Sequence, residues 1–255
     1  MAVALQEVEL TRVADEPYAH CGDVLQLVHV DTGYVLACDV GEKDLRPGEE
    51  ACVATAAPEI RAPCARNSFL LLKYIPNSKS ALEPYYTDET LRYGEKVRLA
   101  VHAAATGDAV DSLGGPRPLC LFSKPVSTTH FAKYSRSQLV GFTYRDTFDT
   151  VWQVVTPDPA QRTLSEGVEV LAGAPILLVH CATQKPLIVE KNKYPSDFGI
   201  EYELSARPST SQGMKLAMEQ TSQGIMKGST PKPESSENLF TFIAGSKVAK
   251  LPDPP

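Results

Sequence analysis

The chain is poor in the features that mark several large functional classes. It has one Trp among 255 residues and more acidic than basic side chains, 31 against 25. No apolar run approaches the roughly 18 residues of a membrane-spanning helix; the best, Ala174 to Val179, stops at His180. No membrane partner is therefore expected. The six Cys lie far apart without a C-x-x-C pair, and no Asn-x-Ser/Thr acceptor occurs. Both absences predict reduced, buried thiols rather than a disulfide framework. Met1 to Leu10 carries Glu7 and Glu9 where a signal peptide would be basic and then apolar, which predicts a chain made and kept in the cytoplasm.

A net charge of −6 disfavours nucleic acid, because attraction to phosphate dominates that binding and requires clustered Lys and Arg. The charge is uneven. Residues 1–60 hold 3 basic and 12 acidic side chains, leaving the remainder at +3, so local contact with an acidic partner is still allowed. At 43% hydrophobic and 22% charged residues, the composition supplies the core of one large domain.

Catalytic grammar is also missing. There is no H-E-x-x-H, G-x-S-x-G, G-x-x-x-x-G-K or G-x-G-x-x-G, and none of the five His has a partner at zinc-ligand spacing. The reading is a non-enzyme without metal or cofactor.

What is present is self-similarity. Gly22-Asp-Val-Leu-Gln-Leu-Val-His29 precedes a Thr32-Gly33 turn; Gly94-Glu-Lys-Val-Arg-Leu-Ala-Val-His102 precedes Thr106-Gly107; and Gly173-Ala-Pro-Ile-Leu-Leu-Val-His180 precedes Thr183-Gln184. Each opener has a later closing strand: Asn67-Ser-Phe-Leu-Leu-Leu72, Asp149-Thr-Val-Trp-Gln-Val-Val155 and Asn238-Leu-Phe-Thr-Phe-Ile243. These segments alternate or run apolar for four to eight residues and are cut by Gly, Pro, Asn and Asp, which is the pattern of strands and hairpins. Three units of about four strands must close on themselves to remove their edges. An all-β chain closed into a β-trefoil, with long inter-strand loops, is the economical solution. It divides the chain into an N-terminal arm (1–17), a single trefoil domain (18–246) carrying an inserted loop (205–237), and a C-terminal tail (247–255). Cys38 to Arg66, acidic and rich in Pro and Ala, reads as another insert.

Six repeat residues stand out, namely Gly22, Gly94 and Gly173 with His29, His102 and His180. Three His at one repeat position could converge on an axis and ligate a metal or anion. A residue repeated at equivalent positions more economically serves the repeat, here by hydrogen-bonding the turn after each opener. Trp152, among Val151, Val154 and Val155, is expected in the core rather than as a sugar-stacking platform. The loop pair Tyr85-Tyr86 serves equally as a docking point or as loop packing. The weakly basic insert offers Arg207, Lys215 and Lys227 as charged contacts and Met214 and Met218 as adaptable apolar ones.

The openers resemble the MIR-type β-trefoil repeats of intracellular calcium-release channels and protein O-mannosyltransferases. Ala65-Arg-Asn-Ser-Phe-Leu-Leu-Leu72, Leu91-Arg-Tyr-Gly-Glu95, Val151-Trp-Gln-Val-Val-Thr-Pro-Asp-Pro159 with Glu166-Gly167, and Ala174-Pro-Ile-Leu-Leu-Val-His-Cys181 are similar, in order and spacing, to the cilia- and flagella-associated protein 161 family over residues 18–245. That resemblance implies a non-enzymatic microtubule inner protein, held in the A-tubule lumen of axonemal doublets by α/β-tubulin and neighbouring inner proteins. The rival is a MIR- or lectin-like module for a sugar or inositol phosphate, which a pocket lined by three or more basic side chains would favour. A glycosidase would instead need two carboxylates about 5 to 9 Å apart, with Asp146 and Asp149 as its candidates.

Overall fold

The structure is a computed structural model that describes residues 2–11, 17–44, 51–76, 89–107, 117–208 and 235–245. Among the described residues twelve strands run in chain order: β1 (Val24–His29), β2 (Val35–Asp44), β3 (Ala51–Ala57), β4 (Phe69–Lys73), β5 (Lys96–Val101), β6 (Cys120–Lys124), β7 (Gln138–Thr143), β8 (Trp152–Val155), β9 (Pro175–His180), β10 (Lys185–Ser196), β11 (Gly199–Ala206) and β12 (Phe240–Ile243). Their pairings give the architecture. β1 pairs β4, β4 pairs β5, β5 pairs β8, β8 pairs β9, β9 pairs β12 and β12 returns to β1, all antiparallel. Six strands thus close a ring in which every edge is taken.

The other six form three hairpins, β2–β3, β6–β7 and β10–β11. Their inner strands meet pairwise, β3 with β7, β7 with β11 and β11 with β3, and so cap the ring. This is a β-trefoil, as the sequence repeats predicted. Alternation explains the core: Leu25, Leu27, Phe69, Leu71, Val97, Leu99, Trp152, Val154, Ile176, Leu178, Phe240 and Phe242 point into the barrel and are buried.

Three glycines begin the units. Gly22, Gly94 and Gly173 have φ of 101°, 91° and 89°, a left-handed conformation that Gly adopts at little cost. A different constraint acts at Gly141 in β7, where a Cβ would lie 3.0 Å from both the Cys52 carbonyl oxygen and the Phe122 ring. Only a residue without a side chain lets β3 and β6 flank β7 this closely.

Two boundaries differ from the sequence reading. Cys38 to Arg66 is not an insert, because it contains most of β2 and all of β3. The last insert does not start at Ser205: Ser205 and Ala206 finish β11 and pair with Leu139 and Gln138. The N-terminal arm lies against the barrel, with the Gln6 carbonyl accepting from Ala65 N–H at 2.8 Å and the Thr11 carbonyl from Gly245 N–H at 2.9 Å.

Candidate functional site: the repeat turns and the hairpin cap

The histidines do not form a triad. Strand register sets His29 opposite Phe240 and His180 opposite Trp152, but sets Val101, not His102, opposite Phe69. His102 lies one residue beyond the repeat position because its opener is one residue longer, counted from Gly94. The sequence equivalence of His102 with the other two is therefore corrected. His102 caps the short helix Ala103–Thr106 instead, its Nδ1 accepting from Ala104 N–H at 3.2 Å.

His29 and His180 share one arrangement. His29 Nε2 donates to the Glu237 carbonyl at 3.1 Å and His180 Nε2 to the Asp149 carbonyl at 2.9 Å. A carbonyl only accepts, so Nδ1 is the bare nitrogen in each ring and takes the hydroxyl of Thr32 at 2.8 Å or Thr183 at 2.9 Å. Each ring ties its hairpin turn to a closing segment. Burial lowers both pKa values, as it lowers that of His102.

Trp152 is fully buried and donates Nε1–H to the Leu121 carbonyl at 3.0 Å. Phe69 and Phe240 occupy the equivalent places in the other repeats. The residues leading into these aromatics also correspond: Asn67 and Asn238 each use Nδ2 to bind two carbonyls, Ile60 and Ala62 or Leu187 and Arg207. In the second repeat that place belongs to Thr150 rather than Asp149.

Of the candidate contact residues, Arg207 is half-buried and grips Glu190 through Nε–Oε1 at 2.8 Å and Nη2–Oε2 at 2.7 Å. The Glu190 carboxylate raises the Arg207 pKa and keeps the guanidinium charged. Tyr85, Tyr86, Met214, Lys215, Met218 and Lys227 lie outside the described residues. Asp146 is exposed and paired with Arg98, while Asp149 contributes its backbone carbonyl to His180.

The six cysteines are free, five of them buried. Burial pushes the Cys21 thiol up to about 11 and Cys120 to about 12. Cys52 differs: a hydrogen bond from Cys38 holds it below the ordinary value. Among the described residues no three His, Cys, Asp or Glu gather as a metal-ligand group, and no helix is long and apolar enough to cross a membrane.

Among the described residues two cavities are lined by several cations. One, of about 260 Å³, holds Arg98, Arg117 and Arg145 with Asp146 and Tyr144. The Arg117 Nε donates to the Tyr144 carbonyl at 3.3 Å, and Arg98 is held by Asp146. The other, of about 440 Å³, lies at the junction of the three hairpins and holds Lys43, Lys133 and Arg136. Apart from Arg98, inside β5, these cations are single charges in turns and near strand ends, with no periodic signal in the sequence.

The model of the "Cilia- and flagella-associated protein 161-like domain" family matches residues 6–211. The cilia- and flagella-associated protein 161 of Bos taurus is 28% identical over 208 residues, which cover 76% of this chain and 60% of that protein. The chain thus spans about 60% of that relative's length. Among solved structures, the SDF2-like protein of Arabidopsis thaliana superposes with a TM-score of 0.56 at 14% identity, covering 88% of this chain and 94% of that one. A chain of the S. cerevisiae O-mannosyltransferase Pmt1–Pmt2 complex superposes at 0.57 with 17% identity, covering 97% of this chain and 27% of that one. These two likenesses speak to the trefoil alone. Sequence repeats, closed ring and family match converge on one assignment: the chain belongs to the cilia- and flagella-associated protein 161-like family.

Proposed function

We propose that this chain is a structural microtubule inner protein, bound to the luminal face of the A-tubule in axonemal doublets, where it stabilises the doublet and supports motility. The observation that carries the reading is the match to a cilia- and flagella-associated family over residues 6–211, laid on a barrel whose six-stranded ring has no open edge. Such a body does not polymerise through its strands, which leaves attachment to segments between them. Repeated attachment along a filament turns modest contacts into strong retention through effective concentration. A net charge of −6 opposes acidic tubulin, so attachment falls to local basic surface. The insert after β11, with Arg207, Met214, Lys215, Met218 and Lys227, and the Tyr85-Tyr86 loop are the proposed contacts with tubulin and neighbouring inner proteins.

The test is cryo-electron microscopy of doublets from cells with and without the gene. Loss of a periodic density inside the A-tubule is expected. An unchanged lumen, or loss of density only on the outer surface, would refute the placement.

The Arg98, Arg117 and Arg145 cavity favours a second reading, a module for a phosphorylated or sugar ligand. Arg98 is already held by Asp146 and Arg117 by the Tyr144 carbonyl, which weighs against it. A shift in melting temperature with phosphorylated sugars, abolished by Arg98→Ala, would support that reading.

A further inference from the structure

The 440 Å³ cavity at the hairpin junction has an apolar floor and a cationic rim. Ala51 and Cys52 of β3, Phe122 of β6 and Leu139 of β7 are buried at the floor. Lys43, at the far end of β2, and Lys133 and Arg136, in the turn before β7, are exposed. Two carboxylates share the cavity, but both are engaged. Glu42 accepts the Tyr194 hydroxyl at 2.6 Å, and Glu203 accepts Tyr134 N–H at 2.8 Å and Ser135 N–H at 2.7 Å.

The cations rest on rings. Lys133 Nζ is 5.3 Å from the Tyr134 ring centroid and 5.0 Å from that of Tyr194, and Arg136 Cζ is 4.6 Å from that of Phe131. Among the described residues none of the three cations forms an ion pair with a carboxylate.

The turn that carries two of them is fixed in place. Ala132 N–H donates to the Ser137 carbonyl at 2.9 Å and Arg136 N–H to the Ala132 carbonyl at 3.2 Å, while Glu203 clamps the turn from β11. Arg136 adopts φ of 57°, a left-handed conformation that glycine takes freely and arginine does not. Gln184 takes the same conformation, φ of 56°, in the turn after His180, so the conformation belongs to tight turns of this kind. Here it holds a guanidinium at the rim.

We propose that this cavity docks an acidic peptide segment of a partner protein, with one apolar side chain on the Ala51, Cys52, Phe122 and Leu139 floor and carboxylates on Lys133 and Arg136. The site belongs to the isolated chain and does not depend on the luminal placement. A nucleic acid would be repelled by the net charge of −6, and a small inorganic anion would leave the apolar floor empty. A peptide satisfies both halves, and the preformed turn reduces the ordering cost of binding.

Fluorescence anisotropy on the purified full chain tests this, with labelled Glu-Glu-Leu-Glu-Glu as probe and Glu-Glu-Ser-Glu-Glu and Lys-Lys-Leu-Lys-Lys as controls. The leucine peptide is expected to bind better than either control. Arg136→Gly should weaken it about tenfold, the loss of one charged hydrogen bond, while the melting temperature holds or rises because glycine suits the left-handed turn. Lys133→Ala, at an exposed position, should weaken binding comparably. Equal binding of acidic and basic peptides, wild-type affinity in both variants, or full displacement by millimolar inorganic phosphate at constant ionic strength would overturn the proposal. So would a marked fall in the stability of Arg136→Gly, which would make Arg136 a fold residue instead.

Discussion

Arg66 and Glu201 form a buried, two-pronged ion pair, Nη1 to Oε1 at 2.7 Å and Nη2 to Oε2 at 3.1 Å, joining residues 135 positions apart. The Thr55 hydroxyl donates to Glu201 Oε2 at 2.7 Å, and the guanidinium lies 3.8 Å from the centroid of the Phe198 ring. The contact ties the segment before β4 to β3 and β11, and so joins the first repeat to the third. Removing one partner leaves an uncompensated charge in a dry site, whereas removing both does not. Glu201→Leu alone should therefore cost about 3 to 5 kcal/mol in urea denaturation, and the double variant Arg66→Met with Glu201→Leu should recover most of that loss. Single variants with little effect would show that water reaches the pair.

Stability should fall as pH drops from 7 toward 5.5. Burial lowers the pKa of His29 and His180 in the folded chain, so below the ordinary value near 6.5 the unfolded chain binds more protons. The contribution is whole above that value and is lost as pH falls through the window beneath it. Equilibrium denaturation at several pH values checks the slope, and replacing both His with Gln should flatten it. Stability that rises on acidification across this window would contradict the neutral tautomers assigned above.

Trp152 fills the barrel position taken by Phe69 and Phe240 in the other repeats, and it alone carries a polar handle, bound to the Leu121 carbonyl. Trp152→Ala should cost about 3 to 5 kcal/mol as a large-to-small core change. Trp152→Phe should cost less, about 1 to 2 kcal/mol, since a ring remains and one hydrogen bond is lost. Equal losses in the two variants would assign the stability to the indole N–H rather than to ring volume.

Deleting residues 209–234 keeps all twelve strands, together with the Asn238 bonds to Leu187 and Arg207. The shortened chain should melt cooperatively, yet be retained less well in axonemes if the insert grips a neighbour. A broad, non-cooperative melt would show that the insert belongs to the fold.

The openers were legible because their glycines, apolar alternation and Thr turns all follow from the conformation each position requires. The one-residue offset at His102 is legible too, in the longer distance from Gly94, although the shared histidine suggests equivalence. β3 was hidden, because Ala51-Cys-Val-Ala-Thr-Ala-Ala57 has weak strand preference and becomes a strand through pairing with β2, β7 and β11. Arg66 with Glu201, and the Lys133 and Arg136 rim, left no local trace. Arg66 needs Glu201, Lys133 rests on Tyr194, and the turn carrying Arg136 is clamped by Glu203, all partners from another repeat that sequence spacing does not encode.

The most direct measurement of the central proposal is fractionation of axonemes containing the tagged full-length chain. A protein enclosed in the doublet lumen should remain with the doublets through detergent and then high salt, leaving only when the doublets themselves come apart. Release with the soluble fraction in detergent alone would contradict the account.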